Sequence, residues 1–343
     1  MKAAVLYKEQ DIQIEERPDP TPGSKEVLVR VKAVGVCGSD VHYYWSGGLG
    51  AHKVESPIIL GHECAGEIVE LGPDVTEFEV GQHVVLEPGV PCRVCEYCRS
   101  GRYNICRSME FMGTPPVDGC FCELVAWPID FVFPVSKEIA FDEASLAEPL
   151  AVGVYAADMA EILAGQSAAV LGSSTIGLLT LEAAIRAGIE QTFISDMVPN
   201  RLELAKKLGA DFAINFKDED VKSVIMEHTN GQGVDVVFEA AGHPSSFKQT
   251  VELVRPGGLI ILIGICQEDV IPFDFGNARR REATIKSVRR YCNVYPRAMR
   301  MLENGRFNVK DLITHEFPLD RVAEALELVH HSADGVLKAV VKP

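Results

Sequence analysis

The sequence predicts an α/β protein in two parts: a β-rich domain built from both ends of the chain, and a doubly wound parallel sheet between them. Three observations lead there. Short runs of period-two hydrophobic alternation, separated by closely spaced Gly and Pro, fill residues 1 to about 134. From about residue 150, strand-like runs alternate with Ala- and Leu-rich helical stretches, the pattern of a parallel sheet covered on both faces. Beyond about residue 286 that alternation ends, leaving one helix and a last strand. The expected division is therefore 1–150 with 286–343 for one domain and 151–285 for the other. A length of 343 residues suits about two domains.

Taken in order, residues 2–7 and 26–34 read as strands, and the Pro-rich stretch 17–23 between them cannot continue a sheet. Residues 66–72 and 81–86 repeat the strand pattern, and 111–134 is again strand and turn. Residues 142–157 have the composition of a helix, with an interruption expected at Pro149. Strands are then expected at 168–172, 192–196, 234–239 and 258–264, with helices at 176–188 and 200–208. A helix at 320–331 and a strand at 335–341 close the chain.

Composition excludes several classes of function. A net charge of −16 opposes nonspecific nucleic-acid binding and association with anionic membranes. No apolar run reaches the roughly 18–20 residues that span a bilayer. The first residues are charged too early for a secretory signal, and ten cysteines in such a chain suggest metal ligands and free thiols. A cytoplasmic protein is expected.

The first chemical constellation is Cys37 with Gly61-His62-Glu63. On a continuous strand His62 and Glu63 would face opposite ways, so both can reach one ion only if the backbone turns at Gly61. Thiolate, imidazole and carboxylate are the three ligand types that zinc accepts. A buried cysteine beside a hydrogen-bonded His–Glu pair is the alternative. The second is Cys92, Cys95, Cys98 and Cys106, close enough in sequence to enclose one tetrahedral zinc with no open position, which is a structural site. Four arginines nearby do not supply the basic surface of a nucleic-acid-binding zinc ribbon. The third is the turn Gly172-Ser173-Ser174-Thr175-Ile176-Gly177, a dinucleotide fingerprint with Ser174 in place of its middle glycine. Asp196 ends the next strand, where a carboxylate can hold both ribose hydroxyls and repel a 2′-phosphate, favouring NAD over NADP.

Cys37-Gly38-Ser39-Asp40, Gly61-His62-Glu63, the four-cysteine lobe and the glycine-rich turn together resemble the zinc-dependent medium-chain dehydrogenases nearly from end to end. Two further stretches resemble their polyol branch, the sorbitol and xylitol dehydrogenases. One is Glu148-Pro149-Leu150, where the alcohol dehydrogenase branch has a cysteine. The other is Arg290-Tyr291-Cys292-Asn293. The resemblance implies a GroES-like catalytic domain and a Rossmann cofactor domain. It also implies reversible oxidation of a polyol to a ketose with NAD, a catalytic and a structural Zn2+, and a homotetramer. Cys37, His62 and Glu63 would hold the catalytic zinc, with Glu148 facing it directly or through its water. Ser39 and His42 would relay the proton. Tyr43, Arg290 and Tyr291 would bind substrate. Gly172, Ile176, Gly177, Asp196, Arg201, Gly264, Ile265, Cys266 and Arg289 would bind the cofactor. L-Threonine and 2,3-butanediol dehydrogenases share the metal motif, and residues 277–281, with three arginines, leave room for a phosphorylated polyol, although a solvated turn is the simpler expectation. A non-enzymatic zinc- and nucleotide-binding protein is the remote alternative.

Overall fold

The computed structural model describes residues 1–50 and 52–343. They form two compact units, one of Met1–Glu148 with Tyr295–Pro343 and the other of Pro149–Val294. The expected return to the first domain near residue 286 falls inside the second unit. There the strand Thr284–Ser287 adds to the parallel sheet beside Val254–Leu262. Among the described residues no helix is long and apolar enough to cross a membrane.

The first unit is organised on the strand Glu26–Gly35, nine of whose ten residues are buried or half-buried. A run of Val and Ala at such positions reads as a central strand covered on both faces. It pairs antiparallel with Glu63–Leu71, Leu124–Pro128 and Lys338–Lys342 within a seven-stranded sheet. The last strand of the chain is thus a neighbour of Glu26–Gly35. The hairpin Lys2–Lys8 with Asp11–Glu16 and the short strand Ile58–Ile59 make a second sheet. Val29, Val31, Ile68, Leu86, Phe121 and Trp127 lie in the core of this unit. The helix Gly38–Ser46 packs beside the helix Val322–His331, with Trp45 stacked on His330 at 4.1 Å between ring centres.

The second unit is a six-stranded, all-parallel sheet in the order Phe212–Asn215, Gln191–Asp196, Ser167–Leu171, Val234–Glu239, Val254–Leu262, Thr284–Ser287. The chain moves outward from the middle strand in both directions, so strand order reverses there and a crevice opens at the strand C-termini. Val170, Phe193, Val237 and Ile260 are fully or almost fully buried, which continuous apolar runs in parallel strands require.

Two local expectations are corrected. The helical stretch does not break at Pro149. A short helix Phe141–Ser145 ends at Leu146, and a new helix Ala147–Met159 carries Pro149 in its first turn. A proline there has no intrahelical N–H to lose, so the helix tolerates it. The arginines at 279–281 are not in a turn but in the last turn of the helix Phe275–Arg281, where cations favour the exposed carbonyls. Arg281 also donates to the carbonyl of Val254 at 2.6 Å.

Candidate active site and metal centres

Gly61 has φ +91°, in the region that favours glycine, and Glu63 begins the strand Glu63–Leu71. The expected turn is therefore real, and His62 and Glu63 leave it towards one point. Cys37 caps the helix Gly38–Ser46 at the end of the neighbouring strand. Sγ of Cys37, a ring nitrogen of His62 and a carboxylate oxygen of Glu63 lie within 4.8 Å of one another, with His62 and Glu63 buried. Three soft-to-hard donors converging in a buried place fit one zinc ion with a position left open.

Asp40 organises these donors, and sequence reasoning did not single it out. Its Oδ2 accepts the backbone N–H of Cys37 at 3.0 Å and its Oδ1 that of Gly61 at 3.1 Å, so one carboxylate ties both ligand-bearing segments. Oδ1 also lies 3.4 Å from Nδ1 of His62. A carboxylate on Nδ1 orients the ring and leaves Nε2 for a metal. Burial disfavours the charged imidazole, yet Asp40 and then Cys37 outweigh it and hold the His62 pKa well above its ordinary value. A second residue not foreseen is Lys338. Buried, it places Nζ 2.8 and 2.7 Å from the two oxygens of Glu63 and 3.0 Å from the carbonyl of Val36. Burial lowers its pKa, but the charges of Glu63 and Cys37 prevail and raise it. Removing one member of such a buried pair typically costs about 3–5 kcal/mol.

Glu148 is buried in the same unit, and its charge acts on Lys338 and Tyr295. Ser39 and His42 lie on the helix Gly38–Ser46, three residues apart and so on one face, both half-buried. Burial and then the neighbouring His330 lower the His42 pKa. His42 is thus neutral at pH 7 and able to accept a proton. Tyr43 is buried on the same helix.

The four cysteines also converge. Cys92 and Cys98 are 4.0 Å apart, Cys95 and Cys98 3.5 Å, and Cys95 and Cys106 3.9 Å between sulfurs. A tetrahedron with zinc–sulfur distances of ~2.3 Å has edges of about 3.8 Å, so the set fits zinc closely. The backbone N–H of Cys98 lowers the Cys95 thiol to about 6, while burial and then the neighbouring thiols push Cys98 up to about 12. Tyr103, between Cys98 and Cys106, donates to the buried Glu87 at 2.7 Å, tying this lobe to the end of the strand His83–Leu86. Burial pushes Glu87 up to about 7, against the Tyr103 bond and with the help of the Glu148 charge.

In the second unit Gly172 has φ +97°, and a Cβ on Gly177 would collide with the Gly172 carbonyl. The turn therefore needs both glycines. Ser174, at the absent middle glycine, caps the helix Thr175–Ala187 through its backbone alone, which leaves its hydroxyl for a ligand at that helix N-terminus. Asp196 ends the strand Gln191–Asp196, and its carboxylate accepts the N–H of Ser173 at 2.8 Å, of Met197 at 2.7 Å and of Val198 at 3.0 Å. Three of its about four lone-pair sites are thus used, which fixes it beside the turn and leaves one for a ribose hydroxyl. Ile176 is half-buried in the helix that the turn opens, and Arg201 lies in the helix Pro199–Lys207. Gly264, Ile265 and Cys266 follow the strand Val254–Leu262, with Ile265 exposed. Arg289 is exposed, Arg290 is half-buried with φ +53°, and Tyr291 is buried. A positive φ at arginine is uncommon and marks a position that its surroundings hold in place.

Comparison with known proteins agrees with both units. Residues 23–137 match the model of the alcohol dehydrogenase GroES-like domain, and residues 175–304 that of the zinc-binding dehydrogenases. The chain is 40% identical over 343 residues to the sorbitol dehydrogenase of Bacillus subtilis (strain 168), covering 100% of this chain and 97% of that one. A crystal structure of an oxidoreductase/dehydrogenase of unknown specificity from Escherichia coli is 37% identical, with a TM-score of 0.95 over 99% of this chain and 98% of the other. A zinc-binding dehydrogenase from Sinorhizobium meliloti 1021, bound to NADP, is 29% identical, with a TM-score of 0.92 over 100% and 99% of the two chains.

Proposed function

We infer from one premise, that the chain belongs to the zinc-dependent medium-chain dehydrogenases and to their polyol branch, that it interconverts a polyol and the corresponding ketose with NAD. The observation that carries this reading is the convergence of Cys37, His62 and Glu63, with Glu148 buried in the same unit. Zinc held by Cys37, His62 and Glu63 would supply a Lewis acid for the substrate oxygen, and NAD in the parallel-sheet unit would supply a hydride acceptor. The chain's own residues do the rest. Asp40 holds Cys37 and His62 in register, and Ser39 and the neutral His42 pass the substrate's proton towards solvent. Glu148 would accept a hydrogen bond from a water or substrate hydroxyl held beside these donors. Arg290 and Tyr291 bond the hydroxyls beyond the reacting carbon, an arginine fork and a phenol being suited to a polyhydroxylated chain. Assay of sorbitol, xylitol, iditol and arabinitol with NAD tests the reaction and identifies the preferred substrate. The proposal includes a homotetramer in the cytoplasm, for which sedimentation and fractionation are the checks.

Cofactor preference is placed at Asp196. Its charge opposes a 2′-phosphate, although one relative binds NADP. Asp196→Ala is expected to weaken NAD binding by roughly ten- to a hundredfold, the ~1.5–3 kcal/mol of hydrogen bonds to a charged acceptor, and to relax discrimination against NADP. Fluorescence titration with both reduced cofactors measures it. Equal affinity of the unaltered protein for the two would remove Asp196 from the ribose.

The four-cysteine lobe is assigned a structural ion. Cys98→Ser is expected to reduce zinc from two ions per chain to one and to lower Tm, while the protein that stays folded retains turnover. Elemental analysis and calorimetry read both, and an unaltered protein holding a single zinc would refute the two-ion assignment.

A further inference from the structure

We propose that Lys338 is a positioning residue that competes with the metal for Glu63 and thereby sets how readily the Cys37–His62–Glu63 centre exchanges its ion. The inference rests on the reading of those three residues as metal ligands.

An ammonium group has three protons, and here each has an acceptor: Oε1 of Glu63 at 2.8 Å, Oε2 at 2.7 Å and the carbonyl of Val36 at 3.0 Å. Both oxygens of a metal-ligand carboxylate are engaged from one side. Val36 immediately precedes Cys37, so the same ammonium grips both segments that carry ligands. A carboxylate has about four lone-pair sites, and one oxygen of Glu63 can still face Cys37 and His62. It does so with its charge shared.

The sheet is built to allow this pairing. Glu63 pairs with Gly35, Gly35 pairs with Val340 on the third strand, and Lys338 begins that strand. A Cβ on Gly35 would collide with Oε2 of Glu63. The middle strand is thus bare where the Glu63 side chain crosses it to reach Lys338. An ordinary surface ion pair needs no such passage. This pair is buried at both ends.

The electrostatic consequence has a definite sign. With no ion present, Lys338 compensates a carboxylate that would otherwise be buried alone. With a divalent cation present, the ammonium lies beside one of its ligands and opposes it. Lys338 therefore favours the metal-free state relative to the loaded one, and a neutral residue there should tighten the centre.

The test uses the full-length, zinc-loaded protein and follows zinc release to a chelator with a metallochromic dye. Cys37→Ser identifies which phase belongs to this centre. Lys338→Met is expected to release that zinc at least about tenfold more slowly and to lower the Tm of the metal-free form. Lys338→Arg, which keeps the charge, should stay near the original rate. If Lys338→Met does not accumulate folded, Lys338→Gln takes its place with the same expected slowing. Unchanged release with a lower Tm would make the pair purely structural, and faster release would make Lys338 a support for the ion; either overturns the proposal. If Cys37→Ser leaves both the zinc content and every release phase unaltered, the metal-centre reading itself falls, and the Lys338 proposal falls with it.

Discussion

Replacing His62 with alanine is expected to lower polyol kcat/KM by about a thousandfold or more, with the parallel-sheet unit still folded and still binding NADH. The loss corresponds to at least about 4 kcal/mol of transition-state stabilisation, the several kcal/mol that a Lewis-acid metal contributes. His62 is the proposed ligand whose Nδ1 lies 3.4 Å from Asp40, and no other imidazole lies among the converging donors of the described residues. Zinc content should fall from two ions per chain to one, because the four cysteines lie on a separate segment of the sequence. The measurement is steady-state kinetics with elemental analysis on one preparation. A His62→Ala protein with two zincs and ordinary turnover would place the chemistry elsewhere. The related Asp40→Ala should be milder, about ten- to a hundredfold, as is typical when a group that orients a metal ligand is removed.

The second large effect separates the metal site from the recognition of hydroxyls. Sorbitol or xylitol should exceed 2-propanol in kcat/KM by about 10⁴-fold or more, because a site built to bond hydroxyls leaves its polar groups unpaired when a substrate lacks them. Arg290→Ala should reduce that ratio chiefly by harming the polyol, since a simple alcohol does not use the contact. Glu148→Ala should instead damage every substrate. Equal losses on polyol and simple alcohol in Arg290→Ala would make Arg290 structural, consistent with its φ of +53° alone. The polyol assignment would then lose its main local support.

The features that could be read from sequence are those whose physics is local. The turn at Gly61 was legible because two adjacent ligands on a strand cannot serve one ion, and φ +91° is the result. The cysteine lobe was legible because spacing limits where four thiols can go, and their sulfurs meet at 3.5–4.0 Å. The parallel sheet followed from alternation, although its edge strand Phe212–Asn215 is only four residues long and so did not stand out; in the other unit the hairpin strand Asp11–Glu16 carries only two apolar residues. What escaped depends on register. Lys338 meets Glu63 across 275 residues of sequence, and only the pairing of three strands brings them together. Asp40 stood in plain view next to Cys37, yet its bond to Gly61 depends on how the helix Gly38–Ser46 sits beside the turn. Glu87 gave no signal, because its partner Tyr103 belongs to the cysteine lobe. Pro149 misled by position: inside a helix it breaks, and in the first turn it starts one.

The central claim is that a zinc centre at Cys37, His62 and Glu63 serves NAD-dependent oxidation of a polyol. Its most direct test is the rate of NADH formation, followed by absorbance, for the zinc-loaded protein with NAD and saturating sorbitol or xylitol, beside the same protein with 2-propanol. The account predicts rapid turnover of at least one polyol, far above that of 2-propanol, and its loss in His62→Ala. No turnover of any polyol, or equal turnover of polyol and 2-propanol, would contradict it.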